Sequence, residues 1–112
     1  MEDTQPQKGE VFKKIREIVK KIPQGKVMTY GDVARIAGTR DSRLVGWALR
    51  GNQDPAIPCH RVVRSYGVLA PRYSLGTWKG QKERLAKEGI QFAKEDQVDM
   101  AKHHWFRHRQ GM

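Results

Sequence analysis

Thr29-Tyr30-Gly31-Asp32-Val33-Ala34-Arg35-Ile36-Ala37-Gly38, with Asp41-Ser42-Arg43-Leu44-Val45-Gly46-Trp47-Ala48-Leu49-Arg50-Gly51 close behind it, is the stretch that decides the fold. Thr29 offers a hydroxyl at an N-cap position, and Asp32 follows three residues later, close to a capping box. Val33, Ile36 and Ala37 then form a short apolar face, which Gly38 ends. A second helix is predicted from Asp41 or Ser42, with Leu44, Val45, Ala48 and Leu49 on one side before Gly51. Two short helices joined by a tight turn containing glycine predict a helix-turn-helix.

Working outward, Val11, Ile15, Ile18, Val19 and Ile22 recur at spacings of three and four, which predicts a helix over Glu10 to Ile22. Pro23-Gln24-Gly25 is turn chemistry leading into a short extended piece, Lys26-Val27-Met28. On the other side, Asn52 to Pro58 reads as a loop and Ile57 to Val63 as extended. Ser65-Tyr66-Gly67 reads as a turn between two short strands, giving a winged arrangement. Pro71 to Gly76 is a further loop, and Thr77 to Lys87 a helix bounded by Gly89. The expected fold is a single domain, mainly α with a short β-hairpin, of winged helix-turn-helix type. It occupies residues 10–93, between a flexible N-terminus at 1–9 and a basic C-terminal tail at 94–112.

A chain of 112 residues, 38% hydrophobic and 30% charged, is long enough to bury one core without a metal or disulfide. No apolar run approaches the roughly 18 residues of a membrane span, and Met1 to Lys8 lacks the apolar core of a signal peptide. The expectation is a cytoplasmic protein, associated with the nucleoid in a prokaryote or nuclear in a eukaryote, with no membrane partner. Twenty-two Lys and Arg against 12 Asp and Glu give a net charge of +10, which points to a polyanion as partner without naming it. The lone cysteine, Cys59, excludes an internal disulfide and leaves three readings: a buried apolar residue, a metal ligand, or a functional thiol.

Ile57-Pro58-Cys59-His60-Arg61-Val62-Val63 resembles the active-site signature of the alkylguanine-DNA alkyltransferases, single-use proteins that repair alkylated guanine. The resemblance runs from about Phe12 to Phe92. It includes Thr29-Tyr30-Gly31, Arg43-Leu44-Val45-Gly46, Arg50-Gly51-Asn52, Tyr73-Ser74 and Lys87-Glu88-Gly89, in the family's order. It implies a winged helix-turn-helix that enters the minor groove, whereas most such motifs read the major groove. It also implies that a base is turned out of the stack into a pocket, since the alkylated oxygen lies on the pairing edge.

The same resemblance assigns roles. Cys59 is the acceptor, His60 its base through a water relay, and Glu88 the carboxylate that orients the histidine. Asn52 pins the turn ahead of the cysteine. Tyr30 crowds the flipping phosphate and donates a proton to the leaving guanine, and Arg43 inserts into the vacated space. Gly46, with Ala48, lets the second helix lie close to the sugar edges, and Tyr73 and Ser74 line the pocket. Lys26, Arg40, Arg50 and Arg61 are candidates for positioning phosphates. Taken alone, each has a plainer reading: a surface histidine, a solvated helix-end carboxylate, a loop asparagine, a core tyrosine, a surface arginine.

Three departures point to a sister group, the alkyltransferase-like proteins, which flip alkylated guanine without accepting the group. The separate N-terminal domain of many repair proteins is not seen here. Gly80-Gln81-Lys82 and the stretch from Val98 to Trp105 look like that group, and Leu75 stands where a glycine is usual. Cys59 argues the other way, because the sister group carries tryptophan or alanine there, and Tyr66 stands where that group often has an arginine. His103, His104 and His108 lack the companions of a metal site. The expected function is that of a methylated-DNA-protein-cysteine S-methyltransferase. It would be monomeric, need no cofactor or metal, act once on double-stranded DNA containing O6-alkylguanine and take the group onto Cys59. The alternatives are a lesion sensor that hands the adduct to nucleotide excision repair proteins, and a DNA-binding regulator without lesion chemistry.

Overall fold

In a computed structural model of the chain, the described residues are 8–70 and 77–105. Helix α1 covers Lys8–Lys20 and buries Val11, Ile15, Ile18 and Val19. It begins two residues earlier than its apolar stripe predicts and reaches into the N-terminus expected to be flexible. Strand β1, Met28–Thr29, runs directly into α2, Tyr30–Ala37. The predicted capping box is present: Asp32 N–H donates to the Thr29 hydroxyl, and Thr29 N–H donates to the Asp32 carboxylate. Gly38 ends the helix at φ 91°, a left-handed conformation that a side chain disfavours. Helix α3, Arg43–Leu49, packs across α1 and α2 and buries Val45, Ala48 and Leu49. The helix-turn-helix is therefore where the sequence places it.

The wing differs from its prediction. Cys59–Arg61 is a turn of 3-10 helix rather than extended chain, and β2, Val62–Val63, pairs in parallel with β1 in the register Met28 to Val62 and Thr29 to Val63. Ser65–Gly67 is a second 3-10 turn, closed by Arg64 N–H donating to Val68 O at 2.8 Å, but the chain after it forms only an isolated bridge from Val68 to Gln97. The antiparallel hairpin lies further on, between β3, Phe92–Lys94, and β4, Gln97–Val98. Local turn chemistry places the turn at residues 65–67, and a distant segment sets the partner strand.

Successive residues of a strand face opposite ways, so the small parallel sheet divides the interior in two. Met28 and Val62 join the cluster built on α1, α2 and α3. Val27 and Val63 join Leu69, Leu85, Ile90 and Val98, packed under α4, Trp78–Lys87.

The expected boundary after residue 93 falls inside the hairpin, and the chain stays packed as far as Trp105. Helix α5 covers Met100–His103. His103 O accepts from Val27 N–H at 2.9 Å, and Trp105 N–H donates to Val27 O at 2.9 Å. His104 reaches the capping carboxylate of Asp32 at 2.6 Å. The part of the tail that is described is thus a strut under the helix-turn-helix. Tyr73, Ser74, Leu75 and His108 lie outside the described residues, and the described ones contain no cluster suited to a metal.

Candidate active site and nucleic-acid interface

A cleft of about 780 Å³ opens between α3 and the Ser65–Gly67 turn, with Cys59 at its inner wall and Tyr30, Arg43, Gly46, Arg50, Arg64 and Tyr66 around it. Cys59 lies at the start of its 3-10 turn, packed against the cluster built on α1, α2 and α3. The Cys59 thiol donates to Ile57 O at 3.6 Å, and Asn52 Nδ2 donates to its sulfur at 3.0 Å. The same amide group donates to Ile57 O and Asp54 O, at 3.1 and 3.2 Å, and so ties the preceding loop to the thiol. Burial pushes the Cys59 thiol above its ordinary range, and the Asn52 amide offsets part of that by favouring the anion.

His60 does not point at Cys59 in a direct hydrogen bond. Its Nε2 lies 2.7 Å from Glu88 Oε2, at the C-terminal cap of α4. Burial lowers the His60 pKa, opposed by the Glu88 carboxylate, so the ring is neutral at pH 7. A neutral ring facing a carboxylate carries its proton on Nε2, which leaves Nδ1 as a bare acceptor. That is the tautomer a general base toward the thiol requires.

Glu88 is held from a second side. Arg61 Nε donates to Glu88 Oε1 at 2.9 Å and Arg61 NH2 to Oε2 at 2.7 Å, while NH1 donates to Ile22 O at 2.7 Å. Burial disfavours the Glu88 anion, but the Arg61 and His60 hydrogen bonds outweigh it and hold the carboxyl below its ordinary value. This corrects one expectation: Arg61 is only 16% exposed, with its whole fork spent inside the protein, and is not free to position a phosphate. Ala48 is likewise buried in the core rather than turned to the groove.

Of the remaining candidates, Tyr30, Arg43, Gly46 and Arg50 line the cleft, and Lys26 and Arg40 are not among its lining residues. Tyr30, at the start of α2, has its pKa raised by burial and by the nearby Cys59, partly countered by Arg64, so its hydroxyl keeps its proton at pH 7. Arg43 is exposed and held in a fork by Asp41 at 2.9 and 3.1 Å. Gly46 is exposed, with nothing within 4 Å of where a Cβ would sit, and Arg50 is exposed beside it. Lys26 donates to Lys102 O at 3.4 Å, and Arg40 is exposed beyond the end of α2.

Sequence reasoning missed three residues. Gln81 is wholly buried on α4, where it accepts from Ala70 N–H at 2.7 Å and donates to His60 O and Val62 O at 3.1 and 2.8 Å. Its signal was present: a polar residue between Trp78 and Leu85 on the inward stripe of the helix. Trp47 and Arg64 also line the cleft, and neither carries a motif that marks it.

A small winged helix-turn-helix with a thiol, a histidine and a carboxylate beside a basic cleft defines a class of DNA-directed proteins. The family model described as 6-O-methylguanine DNA methyltransferase, DNA binding domain, matches residues 10–90, and the chain belongs to that family. It is 35% identical to the DNA base-flipping protein of Escherichia coli over 93% of this chain and 76% of that one. It is 42% identical to a methylated-DNA–protein-cysteine methyltransferase of Methanocaldococcus jannaschii, over 76% of this chain and about half (52%) of that one. Among solved structures, Schizosaccharomyces pombe Atl1 in complex with damaged DNA containing O6-carboxymethylguanine superposes with a TM-score of 0.76 at 31% identity. That match covers 87% of this chain and 95% of that one.

Proposed function

We propose that the protein binds duplex DNA through α3, draws an O6-alkylated guanine into the cleft and transfers the alkyl group once, irreversibly, to Cys59. The observation that carries this reading is the thiol at the cleft wall next to a histidine whose 2.7 Å bond to Glu88 sets it up as a base. In the reaction the thiol proton passes to His60 Nδ1 through an intervening water, and Sγ attacks the alkyl carbon. The S–C bond forms as the bond from that carbon to the guanine oxygen breaks. The electron pair left on the base is neutralised by a proton from Tyr30. Arg43 enters the gap in the stack, and Asn52 holds the nucleophile's loop.

The test is intact mass after incubation with duplex DNA containing one O6-methylguanine. A gain of about 14 Da on Cys59, at most once per molecule and absent in Cys59→Ala, is expected. A second reading, a lesion sensor without transfer that recruits excision repair proteins, is favoured by one observation. The likeness to the base-flipping protein and to Atl1 extends over nearly the whole chain, whereas the methyltransferase match covers half of the relative. Tight lesion binding with unchanged mass selects that reading.

A further inference from the structure

Among the described residues the exposed large hydrophobic side chains are Trp47 and Tyr66, and both line the cleft. The Trp47 indole is 46% exposed in a cleft that Arg43, Arg50 and Arg64 also line. Trp47 is one turn beyond Arg43 on α3, and the Arg43 guanidinium lies over its ring, 5.9 Å from the centroid. Arg43 is fixed from the other side by Asp41, with Nε and NH2 both engaged. The guanidinium and the indole therefore form one cation–π pair. It stands on the helix proposed to face the DNA, at the edge of the cleft proposed to receive the flipped base.

We propose that Trp47 is a positioning residue for base flipping: its indole stacks on a nucleobase left exposed by the flipped guanine and backs the Arg43 guanidinium in the vacated space. The ligand is an unstacked nucleobase of the duplex, a flat apolar surface for which an exposed indole is suited whatever the base. The geometry also separates two tasks. Arg43 supplies charge and hydrogen bonding in the gap, and Trp47 supplies the stacking area that holds it there. This inference rests on the lesion-flipping reading above.

The experiment measures equilibrium binding of the full chain to two short duplexes of one sequence, with and without a single O6-methylguanine, and follows tryptophan fluorescence in the same titrations. Trp47→Ala is expected to lose about tenfold in affinity for the lesion duplex and clearly less for the unmodified duplex, so that the preference for the lesion falls. Trp47→Phe is expected to retain most of the lesion affinity. Wild-type fluorescence should be quenched at saturation with lesion DNA, and Trp47→Phe should lose that quenching. Wild-type preference for the lesion duplex with no change in Trp47→Ala, or quenching that persists in Trp47→Phe, overturns the inference while leaving the proposed function standing. No wild-type preference for the lesion overturns both. Circular dichroism of each variant distinguishes a local loss from misfolding, and α3's core contacts through Val45, Ala48 and Leu49 are untouched by either change.

Discussion

At the scale of single residues, the site is organised by what burial costs each ionisable group. Burial holds Cys59 protonated, and the Asn52 amide is the side chain that favours its anion, together with a backbone hydrogen bond. Asn52→Ala is therefore expected to raise the Cys59 pKa further. A pH profile of thiol alkylation by iodoacetamide should move to higher pH in the variant, and an unchanged profile would deny Asn52 this role. The His60–Glu88–Arg61 group has a pH signature of its own. The His60 pKa is depressed from 6.5, so below that pH the unfolded chain takes up the proton first and stability falls. Glu88 is depressed from 4.5 and adds a loss of the same sign as pH falls through its folded value. Melting temperature should accordingly decline from pH 7 toward pH 4. Glu88→Gln should flatten the part below 4.5, and Glu88→Ala, which strands the Arg61 guanidinium, should cost about 3 kcal/mol at pH 7 in a urea titration. Cys59, His60 and Glu88 can be named from the sequence by resemblance, whereas the inward turn of Arg61 cannot, because nothing local distinguishes an inward arginine from a phosphate binder.

The elements were legible to the degree that their signals are local. Helix α2 announces itself through Thr29, Asp32 and Gly38, residues whose own backbone needs fix where it starts and stops. Thr29→Ala should cost about 1 kcal/mol, read as a lower urea midpoint with an unchanged slope, because it removes one half of the capping box. The cost should exceed that of a free surface helix, since Asp32 also receives His104. The wing was less legible. Ser65-Tyr66-Gly67 does make a turn, yet β2 pairs with β1 rather than with the chain that follows, a choice made by two apolar faces that no short window contains. Tyr66 occupies φ 64° in that turn, and its carbonyl accepts from Gln97 Nε2 at 2.8 Å. Gly67 beside it has φ 88°, and a Cβ there would meet Met100 Cγ at 2.7 Å and Val98 O at 2.8 Å. The turn is thus seated on β4 and α5, segments whose sequence lacks the periodicity that would have revealed them.

For the molecule as a whole, the net charge of +10 dominates its approach to DNA. Exposed Arg43, Arg50 and Arg64 line the cleft, while Lys13, Lys14, Lys20 and Lys21 stand on or just after α1. Binding to unmodified duplex should weaken on the order of a hundredfold or more between about 50 and 200 mM salt, measured by fluorescence anisotropy. A flat response would show that the charge is not engaged. Composition alone supported that prediction, because charge is summed over the chain and needs no knowledge of the fold. The cleft is the opposite case, and its dependence on distant partners bears on how the protein comes into being. His60 meets Glu88 28 positions away, and His104 meets Asp32 72 positions away. Contacts at such separations close large loops and form late in folding. A chain emerging from the ribosome exposes Cys59 and His60 well before Glu88 and Trp105 are available, so during synthesis His60 lacks its carboxylate partner and α2 lacks the strut beneath it. The pairing of His60 with Glu88 is completed only once residue 88 has emerged, and the contacts beneath α2 only once His104 and Trp105 have docked.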